Sequence, residues 1–157
     1  MRTMRTKATW FIAAGLLSLL ALISSAQTSA QKRKAVFITR LYTGPDGQTH
    51  AEEVEAKFTP GNPDVFKLMA ISGAELHRAK AGNVSDWHTA PRRQYVITLS
   101  GRGELELMGG KKIPVDPGHI ELAEDTTGKG HITRVVGTED RVTIAIPLSD
   151  QSAPAIH

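Results

Sequence analysis

Of six histidines, the terminal His157 set aside, His50, His77, His88, His119 and His131 are the side chains best placed to do chemistry. Imidazole changes charge near neutral pH and is the commonest side-chain metal ligand, so several converging rings would make a site. His88 stands in "DWHTAPRRQYVITLSG", Asp86 to Gly101, where Gln94 follows beyond Ala90-Pro91. A proline turn and a returning strand would bring His88 and Gln94 together on the inside of a barrel. Arg92 and Arg93 sit at the rim of that turn, as a solvated or ion-paired cluster or as a fork holding a substrate carboxylate. Trp87 is read as core, with pocket lining as the other option. Tyr95 alternates away from Gln94 and is read as packing.

Other chemistries fail on residue type or spacing. No cysteine is present, so there is no disulfide framework, thiol nucleophile or thiolate metal site. "TTGKGH" has Gly-Lys but lacks the flanking pattern of a phosphate-binding loop. Ser85 and Ser100 stand in no Gly-x-Ser-x-Gly elbow.

The elements that must position these residues are short strands. "AVFITRLYT" ends at the turn "GPDG", and "HAEEVEAKFT" can pair back across it. "AELHRAKA", "QYVITLS", "GELELM", "KKIPV", "HIELA", "HITRVVG" and "RVTIAIPL" follow, separated by glycine and proline turns. "GELELM" alternates, with Leu105 and Leu107 on one face and Glu104 and Glu106 on the other. "RVTIAIPL" sets Val142, Ile144, Ile146 and Leu148 against Arg141, Thr143, Ala145 and Pro147. "DVFKLMAIS" is ambiguous between a helical turn and a strand. This pattern predicts an all-β sandwich or barrel.

Residues 88–131 resemble the two motifs of the cupin superfamily, and "APRRQYVITLSG" and "AEDTTGKGH" are similar to a group of small single-domain cupins. The first motif reads His-x-His, three or four residues, Glu, six residues, Gly. Here it runs His88, Thr89, Ala90, three residues, Gln94, six residues, Gly101. Ala90 replaces the second histidine and Gln94 the glutamate. The second motif is matched by "DPGHIELAEDTTGKGH", in which His131 follows Gly128 by three residues and Thr126 takes the proline position. The resemblance implies a cupin-like double-stranded β-helix, or jelly-roll barrel, over residues 34–149. It also implies a divalent transition metal of unnamed identity, carried by His88, Gln94 and His131. Two imidazoles and an amide hold such a metal poorly without another ligand. His77, Asp86, His119 and Glu121 are the candidates. His77 is read first as a cross-strand hydrogen-bonding residue. His119 and Glu121 share a strand face and could approach a metal together, although a solvent-facing polar stripe is the preferred reading of that pair.

The N-terminus carries Arg2, Arg5 and Lys7, then "WFIAAGLLSLLALI", then small residues. This predicts a secretory signal peptide over 1–26, cleaved after Ala26 or alternatively Ala30; an uncleaved anchor is the other option. Export to a periplasm or the outside is expected, with a disordered stretch 27–33 and a flexible tail 150–157. Of the 19 Lys+Arg, three lie in that leader, leaving 16 against 16 Asp+Glu. Nucleic acid is therefore not an expected partner, nor is a membrane once the leader is gone. A small-molecule ligand or substrate is expected, and the open edge strands leave a route to a homodimer. Two functions stay open: a metal-dependent enzyme acting on a small oxygen-rich molecule, or a metal-free module binding a sugar or organic acid.

Overall fold

The computed structural model describes residues 34–152. The expected signal peptide, the 27–33 stretch and the end of the tail lie outside the described residues. The described residues form ten strands and no helix. They are β1 (Phe37–Thr43), β2 (Thr49–Glu55), β3 (Glu75–Ala79), β4 (Val84–His88), β5 (Gln94–Ser100), β6 (Arg102–Glu106), β7 (Lys112–Pro114), β8 (Ile120–Glu124), β9 (His131–Val136) and β10 (Arg141–Pro147).

The strands make a six-stranded sheet, β2-β1-β8-β5-β10-β3, and a four-stranded sheet, β4-β9-β6-β7. Within β3 to β10 every pairing is antiparallel. Successive strands there change sheet, except at the β6–β7 hairpin. This is a jelly roll, one of the all-β architectures the strand pattern predicts and the one the resemblance implies. The β1–β2 hairpin extends the larger sheet, with β1 running parallel to β8. The small residues and glycine turns explain the tight changes of sheet. At Gly101, between β5 and β6, φ is +69° and an added Cβ would meet the Asp140 carbonyl oxygen at 2.3 Å.

The alternating rows of the sequence sort the side chains onto two faces of the larger sheet. Tyr95 and Ile97 of β5, Ile120 and Leu122 of β8, and Ile144 and Ile146 of β10 form one apolar cluster with Ile38 and Leu148. That cluster lies on the outer face, where Ala56 and Phe66 of the β2–β3 connection pack on it. The apolar row of β10 is thus buried outside the barrel, and its companion row of Arg141, Thr143 and Ala145 is buried within. A second cluster of Leu41, Leu105, Leu107 and Val115 fills the space between the sheets at one end. Glu104 and Glu106, on the opposite face of β6, pair with Lys112 and Arg134.

The ambiguous "DVFKLMAIS" becomes neither helix nor regular strand. It makes one isolated bridge from Val65 to Thr59 and another from Ile71 to Leu148, so it crosses the sheet rather than joining it. The expected tail also begins in ordered chain. Arg93 Nη1 donates to the carbonyls of Asp150 (2.9 Å) and Ser152 (2.7 Å), and the Gln151 amide donates to the carbonyls of Arg93 and Leu148.

Replacing Gly101 by alanine adds a disfavoured φ and a backbone clash at a change of sheet. Urea denaturation is expected to show a loss of at least about 2 kcal/mol relative to the unchanged protein.

Candidate functional site

β4 and β3 are facing edges of the two sheets, and a cleft of about 490 Å³ opens between them. His77 and Ala79 of β3, Ser85 and His88 of β4, and Thr143 of β10 line it. Below it lies a cavity of about 100 Å³, bounded by His88, Gln94, Glu121, His131 and Arg141 together with apolar Val96, Leu105 and Ala123. His88, Val96, Thr133 and Arg141 belong to both walls, so the cavity is the floor of the cleft.

β4 and β9 set the two histidines opposite each other as register partners, with ring centroids 4.6 Å apart. The approach requires Gly130, where φ is +71° and a Cβ would stand 2.0 Å from the His88 carbonyl oxygen. His88 Nδ1 lies 2.7 Å from the Asp86 carbonyl oxygen, which can only accept, so Nδ1 carries the proton. His131 Nδ1 donates to Asp125 Oδ2 at 2.7 Å. Both rings therefore keep Nε2 for other partners. Burial works against a charged His131, but the Asp125 hydrogen bond and the nearby carboxylates outweigh it and raise its pKa.

Asp125 has no exposed side-chain surface. Its Oδ2 also accepts from Thr49 Oγ1 at 3.0 Å, while Oδ1 has no protein partner. Glu121 is the second interior carboxyl. Burial drives its pKa from the ordinary 4.5 to about 7; His131 and Arg141 pull it back and Asp125 pushes it further up. Arg141 is buried too. Its Nη2 donates to Thr98 Oγ1 at 2.8 Å, and Nε has no partner.

Of the residues expected at the site, His88, Gln94, His131 and Glu121 line this one cavity. Glu121 is not part of a solvent-facing stripe, because β8 turns Glu121 and Ala123 inward while Ile120 and Leu122 join the outer cluster. His119 is not brought to the cavity. It precedes β8, and its Nε2 lies 2.9 Å from Thr39 Oγ1. That hydroxyl spends its proton on Glu53 at 2.6 Å, so His119 is the donor, and burial lowers its pKa. His77 lies on the cleft's outer lip and pairs with Glu75 at 3.0 Å. The Asp86 carboxylate turns back to the Trp87 amide.

The three residues expected to bind substrate stand elsewhere. Arg93 is held by Glu124 Oε1, at 3.0 Å from Nε and 2.5 Å from Nη2, and clamps the chain at 150–152. Arg92 pairs with Glu75 at 2.6 Å and lines a separate surface groove, donating only once toward the site, to Gln94 Oε1 at 3.3 Å. Trp87 is exposed rather than core. Asp125 and Arg141 are the residues that sequence reasoning missed. The alternation of "RVTIAIPL" leaves the place of Arg141 open, and only the cover on the outer face reveals which row turns inward.

Among the described residues, no three His, Asp or Glu side chains form a group able to hold a metal ion. The two Nε2 atoms suit a metal, since their Nδ1 protons are tied as in ligating histidines. A complete donor set is not assembled around them.

No family model matches the chain, and no curated protein matches it. Among solved structures the chain is similar to an RmlC-like cupin protein from Desulfovibrio desulfuricans. The identity is 19%, covering 71% of this chain and 81% of that one, with a TM-score of 0.37. It is also similar to the conserved SPY1581 protein of unknown function from Streptococcus pyogenes. There the identity is 13%, the coverage 55% and 71%, and the TM-score 0.38. The jelly-roll fold rests on the strand order of the two sheets.

The raised pKa of Glu121 has a defined sign. Between pH 4.5 and about 7 the unfolded chain releases this proton while the folded chain keeps it, so stability falls as pH rises through that window. The shift corresponds to a loss on the order of 3 kcal/mol. Glu121→Gln is expected to flatten this part of the profile, as followed by denaturant midpoints from pH 4.5 to 8.

Proposed function

We propose that this protein is an exported cupin-like protein whose floor cavity binds a small oxygen-rich molecule. The supporting observation is the convergence of His88, Gln94, Glu121, His131 and Arg141 at the bottom of a cleft open to solvent. A concave site with few polar groups set in an apolar wall is the usual form of a small-molecule pocket. Gln94 both donates and accepts, which suits hydroxyl or carbonyl groups and is cheaper to bury than glutamate. Glu121 and His131 give the site acid–base capacity. The carboxyl, shifted to about 7, can give or take a proton near neutral pH, and Asp125 favours the charged imidazole. The reading therefore covers both binding and proton transfer at a bound small molecule.

A second reading places a divalent transition metal on His88 and His131 with the Gln94 carbonyl oxygen. It is favoured by the two tied Nδ1 atoms, which leave both Nε2 lone pairs for a ligand. Bound there, a metal would supply Lewis acidity to a substrate oxygen. Glu121, on the same cavity wall, would be the proton carrier in that case as well.

Thermal unfolding separates the two. Hydroxy acids, sugars and polyols are titrated in chelated buffer, then Mn, Fe, Ni, Cu and Zn in turn. Saturable stabilisation by a small molecule without metal, weakened at least tenfold in His88→Ala or Gln94→Leu, is the expected result. Stoichiometric metal lost from the His88→Ala, His131→Ala double variant would establish the second reading instead. A protein that neither set shifts would rule out both.

A further inference from the structure

The interior of the barrel holds a cation with no ion-pair partner among the described residues. Among the described residues Arg141 has no ion-pair partner, in contrast to Arg93, whose guanidinium is clasped by Glu124. Arg141 is 8% exposed, donates once to a neutral hydroxyl, and leaves Nε without a protein partner. A guanidinium taken out of water loses its hydration, and one hydroxyl does not replace it. The fold nonetheless makes room for it. A Cβ on Gly103 would meet Arg141 Cδ at 2.9 Å and Nε at 3.0 Å, so the bare glycine of β6 is the space the side chain passes through. Glu121 is an opposite charge that acts on it, but the two form no ion pair.

We propose that the occupant of the cavity is a short monocarboxylate, received by the Arg141 guanidinium. This rests on the small-molecule reading above and names its ligand class. The bidentate fork of arginine matches a carboxylate. The floor, about 100 Å³, has room for a two- or three-carbon acid beneath the larger cleft. Val96, Leu105 and Ala123 offer apolar wall to the alkyl part, and Gln94 and His88 can meet a hydroxyl beside the carboxylate. A second negative charge on the ligand would face the Glu121 carboxyl on the same wall, which selects against dianions.

Calorimetry on the purified protein, at pH 8 in chelated and carboxylate-free buffer, tests this. Acetate, glycolate and lactate are compared with acetamide, ethylene glycol and glycerol, and with chloride and phosphate. The carboxylates are expected to bind at least tenfold more tightly than the neutral compounds or inorganic ions. Arg141→Gln should abolish that preference. Glu121→Gln, which keeps shape and removes a competing negative charge, should tighten carboxylate binding several-fold. The unchanged protein and Glu121→Gln decide the matter even if Arg141→Gln fails to fold. Equal binding of neutral polyols overturns the carboxylate assignment while leaving the cavity reading standing. Equal binding of chloride or phosphate, or weaker carboxylate binding in Glu121→Gln, overturns the assignment in the same way. No binding by any compound overturns both.

Discussion

The open end of the barrel depends on one buried carboxylate. Asp125 follows the last residue of β8, and its Oδ2 accepts from Thr49 at the start of β2 and from His131 at the start of β9. Its backbone carbonyl accepts from the Ala90 amide at 3.1 Å, in the turn that separates His88 from Gln94. Three other parts of the chain are thereby referred to a single residue at the end of β8. A fully buried carboxylate is tolerable only when hydrogen-bonded or paired, and the imidazole and hydroxyl meet that demand on one oxygen. Ring orientation at His131 is therefore a consequence of how Asp125 is satisfied.

The same logic, applied with the opposite result, distinguishes the interior charges from one another. Arg93 and Glu124 are both buried and fully engaged, and Arg40 joins them through a 2.6 Å bond to the other oxygen of Glu124. That network knits β1, β8, the start of β5 and the C-terminal segment, and it leaves nothing for a ligand. Glu121 and Arg141 are buried and under-engaged. Structural charge in this fold is paired, and the unpaired charge gathers where there is empty volume. Perturbed groups beside a cleft are the usual mark of a functional site.

Much of this was legible in the residues themselves. Alternation in "GELELM" and "RVTIAIPL", with glycine between strands, was enough for an all-β sandwich or barrel, because a period of two and a tight turn are local properties; the jelly roll itself was implied by the motif resemblance of residues 88–131. His88 and Gln94 reach the same cavity because a proline turn joins their strands. Which face points inward is not local. The "RVTIAIPL" rows exchange roles once the irregular 56–72 segment covers the outer face, and that cover has no periodicity to announce it. For this reason the alternation left the place of Arg141 open and made Glu121 part of a polar stripe. For Arg93 the ion-paired alternative holds, but its partner Glu124 is 31 residues away in sequence and was not legible beside the turn.

Gly130 bears on how the site can change. The main chain of β9 touches the main chain of β4 there, so the separation of positions 88 and 131 is gauged by backbone against backbone. The rings do not act as spacers holding the strands apart. Either side chain can then be exchanged for another donor without the remaining one drifting from its place. The strands form a jig into which different chemistries can be fitted one residue at a time.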